Sequence, residues 1–595
     1  GLCLPVAVDD PRVGLPAIAW YAWISLRLLF SGAEGRPRAW SWSTVPGLLA
    51  SSELSLNALF VLLASMAIGN QLGESEWVML SVLGCGVLAA GVSIPVEAAT
   101  WRTGPRTAWL VAPWAGFFAG LWLGGLTPSG FVTALAMRQG VALLRDVLRI
   151  GRSEQLIGHL IGKPAQLFVL SFAVVIAVGA GLLSFPVSSA TGRPIPPLDA
   201  LFTSTSAVCV TGLTTLDTAT AFSTFGKLTI LLLIQVGGLG VITLSSFAVL
   251  VLSQRLGLRL EGALGELVDQ PRPRELRILL RLIVLSTVGI EAFGAFALWP
   301  AFEATDLTSL QALWKAVFHS ISAFCNAGFA LQTDNLMSYQ RRPFILLIVS
   351  ALILTGGLGF PVLGALGQSL QRRRPMSIHA RIGLVMAAGM TVVGFLLFVT
   401  LEWSHSLGHL SVGHKLTNSL LHAVTLRTAG FNSLAMTGLR PESIAWMIAW
   451  MFIGGGSGGT AGGIKTTTVA VLMLRTRALL RGRDVTEVWS RHIPHAIVER
   501  AAVVALLALL FLGCGHFLLL ATQGATFHGL LFEAVSAMGT VGLSLDVTPT
   551  LDGFGKLVII GLMFVGRIGP LTLLLVLRTS APSRVKMPAE SIPVG

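Results

Sequence analysis

Charge is scarce in this chain. Only 12% of its 595 residues are Asp, Glu, Lys or Arg, against about 25% in a soluble domain. That shortage argues against an ordinary water-soluble fold. Cysteine is scarce too. The five cysteines show no paired spacing and no clustering of metal-ligand type, so neither a disulfide framework nor a zinc site follows. Acidic residues number 28 against 41 basic ones. The net charge of +13 could suggest nucleic acid. Lys and Arg also mark the cytoplasmic loops of membrane proteins, and that reading fits the rest of the composition, so no nucleic-acid partner is expected. The chain opens on Gly rather than Met, and no signal-peptide argument can be built on it.

What the chain has in quantity is apolar length. It is 53% hydrophobic with a mean hydropathy of +0.78. Examples are LFVLSFAVVIAVGAGLL (Leu167 to Leu183) and RAAVVALLALLFLGCGHFLLLA (Arg500 to Ala521). A bilayer-spanning helix needs about 20 such residues. The runs are continuous rather than alternating, which points away from a barrel. The expected fold class is an all-α polytopic membrane protein.

Four short stretches share one form: LFTSTSAVCVTGL, VFHSISAFCNAGF, SLLHAVTLRTAGF and LFEAVSAMGTVGL. They align on Gly212, Gly328, Gly430 and Gly542, which recur at intervals of about a hundred residues. Phe202, Phe318, Leu420 and Phe532 precede these glycines at one offset, and Ala207, Ala323, Thr425 and Ala537 at another. Each stretch lies between two apolar spans. The following spans carry Gly237, Gly356, Gly454 and Gly566 at similar offsets. The unit is therefore a span, a short helix, a turn holding a glycine, and a second span expected to break at its glycine.

The third repeat enlarges that break into GGGSGGTAGGIKTTT (Gly454 to Thr468). A phosphate-cradling loop needs lysine directly after glycine, following a strand. Here Ile464 intervenes between Gly463 and Lys465, and a membrane span leads in. A plain linker fits poorly, since apolar VAVLMLRTRALL resumes at once. A broken membrane helix fits, and such breaks are tolerated where they line a cavity or are buried in protein.

Arginines cluster between the repeats, as in Arg255 to Arg281, Arg372 to Arg381 and Arg475 to Arg500. Positive-inside then places the aligned glycines outside and the termini of the repeat core in the cytoplasm. Each short helix becomes a re-entrant hairpin entering from outside. Four such loops around one axis make a pore. Its backbone carbonyls replace the hydration shell of a monovalent cation, and the helix C-termini favour that cation. Acidic side chains are few in the loops, against a carboxylate-ring calcium site.

SAVCVTGL, LRTAGFN, GGGSGGTAGGIKTTT and GRIGPLT resemble the Trk/Ktr/HKT superfamily of potassium transporters, most nearly the bacterial Trk and Ktr pore subunits. The resemblance covers about residues 160 to 580. It implies four pseudo-symmetric repeats around one central pore. Carried over by position, the potassium-binding filter comprises Val210, Thr211 and Gly212; Asn326, Ala327 and Gly328; Thr428, Ala429 and Gly430; Thr540, Val541 and Gly542. In the family a serine at the first filter glycine goes with sodium preference, so Gly212 implies potassium. No repeat is a full TVGYG, which implies selectivity looser than a channel's. The family places an arginine, here Arg567, just below the filter. A charge at the centre of a lipid-facing helix costs about 2.5–3.5 kcal/mol or more, so Arg567 should face the pore or a cavity. Together with Arg567, the loop of Gly454, Gly455, Gly456, Ser457, Gly458, Gly459, Thr460, Ala461, Gly462, Gly463 and Lys465 is expected to gate the pore. For Lys465, snorkelling to the interface is the alternative.

Several buried-looking groups are expected to be structural: Glu291 paired with a polar neighbour, Glu533, His319 and His422 satisfied on the short helices, Cys209 and Cys325 as small packing residues. The first 130 residues carry about four extra spans, followed by a cytoplasmic amphipathic connection at 131–163. The repeats are set at 164–254, 255–371, 372–480 and 481–580, with a cytoplasmic tail at 581–595. The expected function is potassium uptake across the inner membrane, driven by membrane potential, with sodium or proton coupling left open. Potassium is then the substrate, with no covalent cofactor and no enzymatic activity. The resemblance implies a homodimer on cytosolic nucleotide-binding regulatory subunits, within the lipid bilayer. Two alternatives stay open: the pore subunit of an ATP-driven potassium pump, and an NTP-binding membrane enzyme using the glycine run.

Overall fold

The computed structural model describes residues 164–253, 273–305, 307–372, 375–570 and 572. The extra spans and amphipathic connection expected before residue 164, and the tail at 581–595, lie outside the described residues. The first repeat holds α1 (Pro164–Ser184), α2 (Pro197–Val208) and α3 (Thr224–Ser253). The second holds α4 (Pro273–Glu303), α5 (Ser309–Phe324), α6 (Pro343–Leu358) and α7 (Phe360–Arg372). The third holds α8 (Ile378–Glu402), α9 (Val412–Thr425), α10 (Pro441–Met451) and α11 (Thr466–Leu480). The fourth holds α12 (His495–Thr522), α13 (Phe527–Gly539) and α14 (Gly553–Ile568).

Local chemistry sets the helix starts. Pro197, Pro343 and Pro441 open α2, α6 and α10, where a missing N–H costs nothing. The Asp552 carboxylate accepts the Gly555 N–H at 2.7 Å and caps α14. The outer spans of repeats two to four are long and apolar enough to cross a membrane. The inner spans are shorter pieces, because each is interrupted. Between α6 and α7 the chain turns by 97°.

Burial is arranged for a lipid solvent. Phe293, Phe296, Leu506 and Phe517 on the outer spans are each more than 65% exposed. Thr203, Ser204, Thr205 and Ser206 on α2 are buried. Apolar groups outside and hydroxyls within are what a bilayer demands. Every outer span packs on its own short helix: α1 on α2, α4 on α5, α8 on α9, α12 on α13. Every inner span packs on the short helix of the next repeat: α3 on α5, α6 on α9, α10 on α13, and α14 back on α2. The repeats therefore close into a ring in sequence order.

An ion pair fastens that closure. Lys556 on α14 donates to the Asp199 carboxylate of α2 at 2.6 Å, with both side chains largely buried. Removing one partner leaves an uncompensated charge, which costs about 3 kcal/mol in a buried setting. Lys556→Met alone should therefore lower the melting temperature of the purified protein more than Lys556→Met combined with Asp199→Leu. Equal melting in the two variants would show that the pair adds nothing to the closure.

Three differences from the sequence reading stand out. First, the inner spans do not break at Gly237, Gly356 and Gly566. The backbone leaves helical geometry three residues later, at Gly240 (φ 73°), Gly359 (φ 92°) and Gly569 (φ 90°). The earlier glycines are notches: a Cβ there would collide with the carbonyls of Val208, Phe324 and Met538 at the ends of the short helices. Second, a β-hairpin joins repeats three and four, pairing β1 (Thr486–Val488) with β2 (Arg491–Ile493). Its two-residue turn puts Trp489 (φ 45°) and Ser490 (φ 62°) in the left-handed region. That turn normally signals itself by Asn-Gly, so the sequence hides it. The Arg381 guanidinium lies 5.0 Å from the Trp489 ring, which compensates by a cation–π contact. Third, His422 is not satisfied by hydrogen bonds. Its ring stacks on Phe398 at 4.6 Å, and neither nitrogen has a partner.

Candidate ion pathway

The turns that follow the four short helices converge. Val210, Asn326, Thr428 and Thr540 have φ of 56°, 61°, 66° and 51°. Gly212, Gly328, Gly430 and Gly542 have φ of 96°, 71°, 73° and 94°. The residue between each pair has negative φ. Alternating hand along a short segment turns successive carbonyls to one side. Left-handed geometry at Val210, a β-branched residue, is a genuine outlier. Strain of this kind persists where the surroundings over-determine it, typically at functional sites.

The missing side chains of the glycines define the axis. A Cβ on Gly212 would lie 2.5 Å from the Ala327 carbonyl oxygen. One on Gly328 would lie 2.9 Å from that of Ala429, and one on Gly430 would lie 2.7 Å from that of Val541. One on Gly542 would collide with the Thr211 carbonyl. Each glycine thus abuts the residue before the glycine in the next repeat, and the circuit returns to its start. The twelve residues carried over from the sequence are together in one ring.

The ring's amides are tied away from the axis. Thr211, Ala327 and Val541 donate their N–H to the carbonyls of Ser206, Ser322 and Ser536 at 2.7–2.8 Å. The Ser206 and Ser536 hydroxyls accept the N–H of Gly212 and Gly542 at 3.0 Å. The Ser322 hydroxyl donates to the Phe329 carbonyl at 2.8 Å. With amides committed behind, carbonyls are left to face the centre. These serines were missed from the sequence, although they recur six residues before the glycine in three repeats. Val424 takes their place in the third. Arg427, inside LRTAGFN, was also passed over. It is 2% exposed, and its Nε and Nη1 have no partner, so a buried cation stands behind the third filter turn.

Below the ring lies the glycine loop. Ile453 and Ile464 pair across its base, and Gly454 N–H donates to the Ile464 carbonyl at 2.8 Å. The loop folds against the break of repeat two. Gly456 N–H donates to the Gly357 carbonyl at 2.9 Å, and Phe360 N–H to that of Gly458 at 3.2 Å. A Cβ on Gly462 would collide with the Thr540 hydroxyl, so the loop backbone sits against the fourth filter turn. A phosphate cradle needs free, converging amides. Here Gly454, Gly456, Gly459, Thr460 and Thr466 give theirs to carbonyls. Lys465 donates to the Ala461 carbonyl at 2.8 Å, closing the loop on itself rather than onto another repeat.

Arg567 is buried and donates to the carbonyls of Thr460 and Gly237. One side chain of repeat four therefore clasps the loop of repeat three and the inner span of repeat one. Arg567→Gln should release that clasp and remove a buried positive charge, raising uptake velocity by something on the order of tenfold. Arg567→Lys should change velocity less, since it keeps the charge but loses the planar fork. Unchanged velocity in the neutral variant would place Arg567 outside the pathway. Glu291 has the polar partners expected of it: Gln235 Nε2 at 3.2 Å and Cys325 Sγ at 3.7 Å. Glu533 accepts from Ser544, Leu545 N–H and Thr548 at 2.6–3.0 Å. His319 bonds the Lys315 carbonyl through Nδ1, with Nε2 unpartnered. Among the described residues no group of His, Cys, Asp or Glu is placed to hold a metal ion.

A single chain whose four re-entrant turns meet on one axis, with a loop beneath, defines a class: a four-repeat membrane pore for cations. The chain matches TrkH, described as a cation transport protein, over residues 161–587, and it belongs to that family. It is 38% identical over 434 residues to the Ktr system potassium uptake protein B of Bacillus subtilis, covering 73% of this chain and 97% of that one. It is 35% identical over 441 residues to the potassium/sodium uptake protein NtpJ of Enterococcus hirae, covering 73% and 97%. Its fold matches the crystal structure of the potassium transporter TrkH from Vibrio parahaemolyticus with a TM-score of 0.59 at 20% identity, over 80% of this chain and 98% of that one. The family is one of membrane transport proteins, not enzymes.

Proposed function

We propose that this chain takes up potassium through the ring of filter turns, driven by membrane potential. The observation that carries the reading is the closed circuit of glycines, each against a carbonyl of the next repeat. Such a ring can exchange carbonyls for the water around a monovalent cation. The names of the relatives, potassium uptake proteins among them, support potassium as the substrate. The potential contributes about 2.3 kcal/mol per charge per 100 mV, or about 50-fold accumulation.

The arginines of 475–500 support a cytoplasmic face opposite the filter, in the inner membrane. A relative named as part of a Ktr system supports a complex with a further component. In our reading this is a homodimer carried on cytosolic nucleotide-binding regulatory subunits. Potassium is the cargo, bound at the filter residues, and no covalent cofactor is required. Rubidium uptake by potassium-uptake-deficient cells, with external sodium varied, tests this reading. Uptake that saturates with rubidium and is competed by potassium supports it. Absence of rubidium uptake at every sodium level, with the protein present in the membrane, overturns it. Dependence on sodium would add coupling to that ion.

A further inference from the structure

A cavity of about 860 Å³ lies off the pathway, between repeats three and four. That is within the range of about 300–1,000 Å³ typical of ligand sites. Its long wall is one face of α11: Val469, Leu472, Met473, Thr476, Leu480 at helical spacing. Ala505, Leu509 and Leu512 of α12 form the facing wall. Its inner end reaches Ile453 and Ile464, the pair at the base of the glycine loop. Among the described residues the one hydroxyl in the wall, Thr476, is already committed to the Leu472 carbonyl at 3.0 Å. A cavity without free polar partners does not hold water. Met473, Leu480 and Leu509 are 61%, 84% and 54% exposed, so the cleft opens sideways.

The outer end differs in kind. Arg477 and Arg481 line it. Both are exposed, and neither has an ion-pair partner among the described residues. Among the described residues no acidic side chain lines the cavity. From Val469 to Arg481 the helix rises by about 18 Å, close to one leaflet of a hydrocarbon core about 30 Å thick. The occupant must therefore be apolar over one leaflet's depth and anionic at its end. We propose that an anionic glycerophospholipid of the bilayer binds here, its acyl chain along α11 and its phosphate on Arg477 and Arg481. The chain end then lies against the base of the glycine loop.

Placing the cavity in a leaflet rests on the membrane reading above, but the test needs no transport, so it can fail while potassium uptake stands. The full chain is reconstituted in phosphatidylcholine with a trace of phosphatidylglycerol carrying a photoactivatable acyl chain, then illuminated and digested. Labels are expected on the α11 and α12 segments. Unlabelled phosphatidylglycerol should compete for them and phosphatidylcholine should not. Each arginine near an anionic headgroup is worth about fivefold in affinity, so Arg477→Gln with Arg481→Gln should raise the competing concentration by at least tenfold. Ala505→Phe, which fills the cleft, should abolish labelling there, and Arg491→Gln on the hairpin should leave it unchanged. Equal competition by phosphatidylcholine, unchanged labelling in the double arginine variant, or no label on these segments would each overturn the proposal. So would disulfide linkage of two copies through Leu509→Cys, since a second copy would then occupy the cleft.

Discussion

Gly212→Ser is expected to lower the ratio of potassium to sodium uptake by at least tenfold, with protein levels in the membrane unchanged. Two observations combine. Gly212 sits at φ 96°, where a side chain is strained whatever the space. A Cβ there would stand 2.5 Å from the Ala327 carbonyl oxygen. That oxygen belongs to the next turn of the ring, so it cannot yield without disturbing the ring itself. Tenfold in selectivity is about 1.4 kcal/mol, comparable to what a misplaced side chain at positive φ costs. Sodium, smaller and more tightly hydrated, suffers less from a loosened cage. The measurement is paired rubidium and sodium uptake in the same cells. Gly438→Ser, a surface position with open space around its Cβ, serves as the control. An unchanged ratio in Gly212→Ser would remove the first turn from the selecting ring.

Much of this arrangement was legible as recurrence. The aligned glycines, the short helices before them and the enlarged third break are each visible because the chain repeats its own pattern. What recurrence cannot supply is adjacency between repeats. That Gly212 meets Ala327 while Gly542 meets Thr211 depends on ring closure, and no single stretch encodes it. The break positions were misplaced for a related reason. Gly237, Gly356 and Gly566 align well because each must admit a short-helix carbonyl, which is a packing demand and not a hinge. The serines behind the filter were legible but overlooked, since a hydroxyl on a helix reads as a neutral packing residue until its acceptor is seen. Arg427 was invisible as a buried charge, because nothing local distinguishes it from a loop arginine.

Deleting Gly456 to Gly459 should raise the velocity of rubidium uptake severalfold while potassium still competes at its original concentration. These residues share the loop's grip on repeat two with Thr460. Gly456 N–H holds the Gly357 carbonyl, Gly458 accepts from Phe360, and Ser457 lies against Gly359. Glycine at 458 and 463 takes φ of 75° and 63°, geometry that allows the backbone to refold at little cost. The remaining ties, Arg567 to Thr460 and Thr460 to the Phe324 carbonyl at 3.2 Å, would hold a shortened loop near its place without letting it cross beneath the filter. The filter turns themselves keep their serine and inter-repeat contacts, so competition by potassium reads them separately. A folded, filter-competent variant with unchanged or reduced velocity would leave the loop as a helix break required for packing alone.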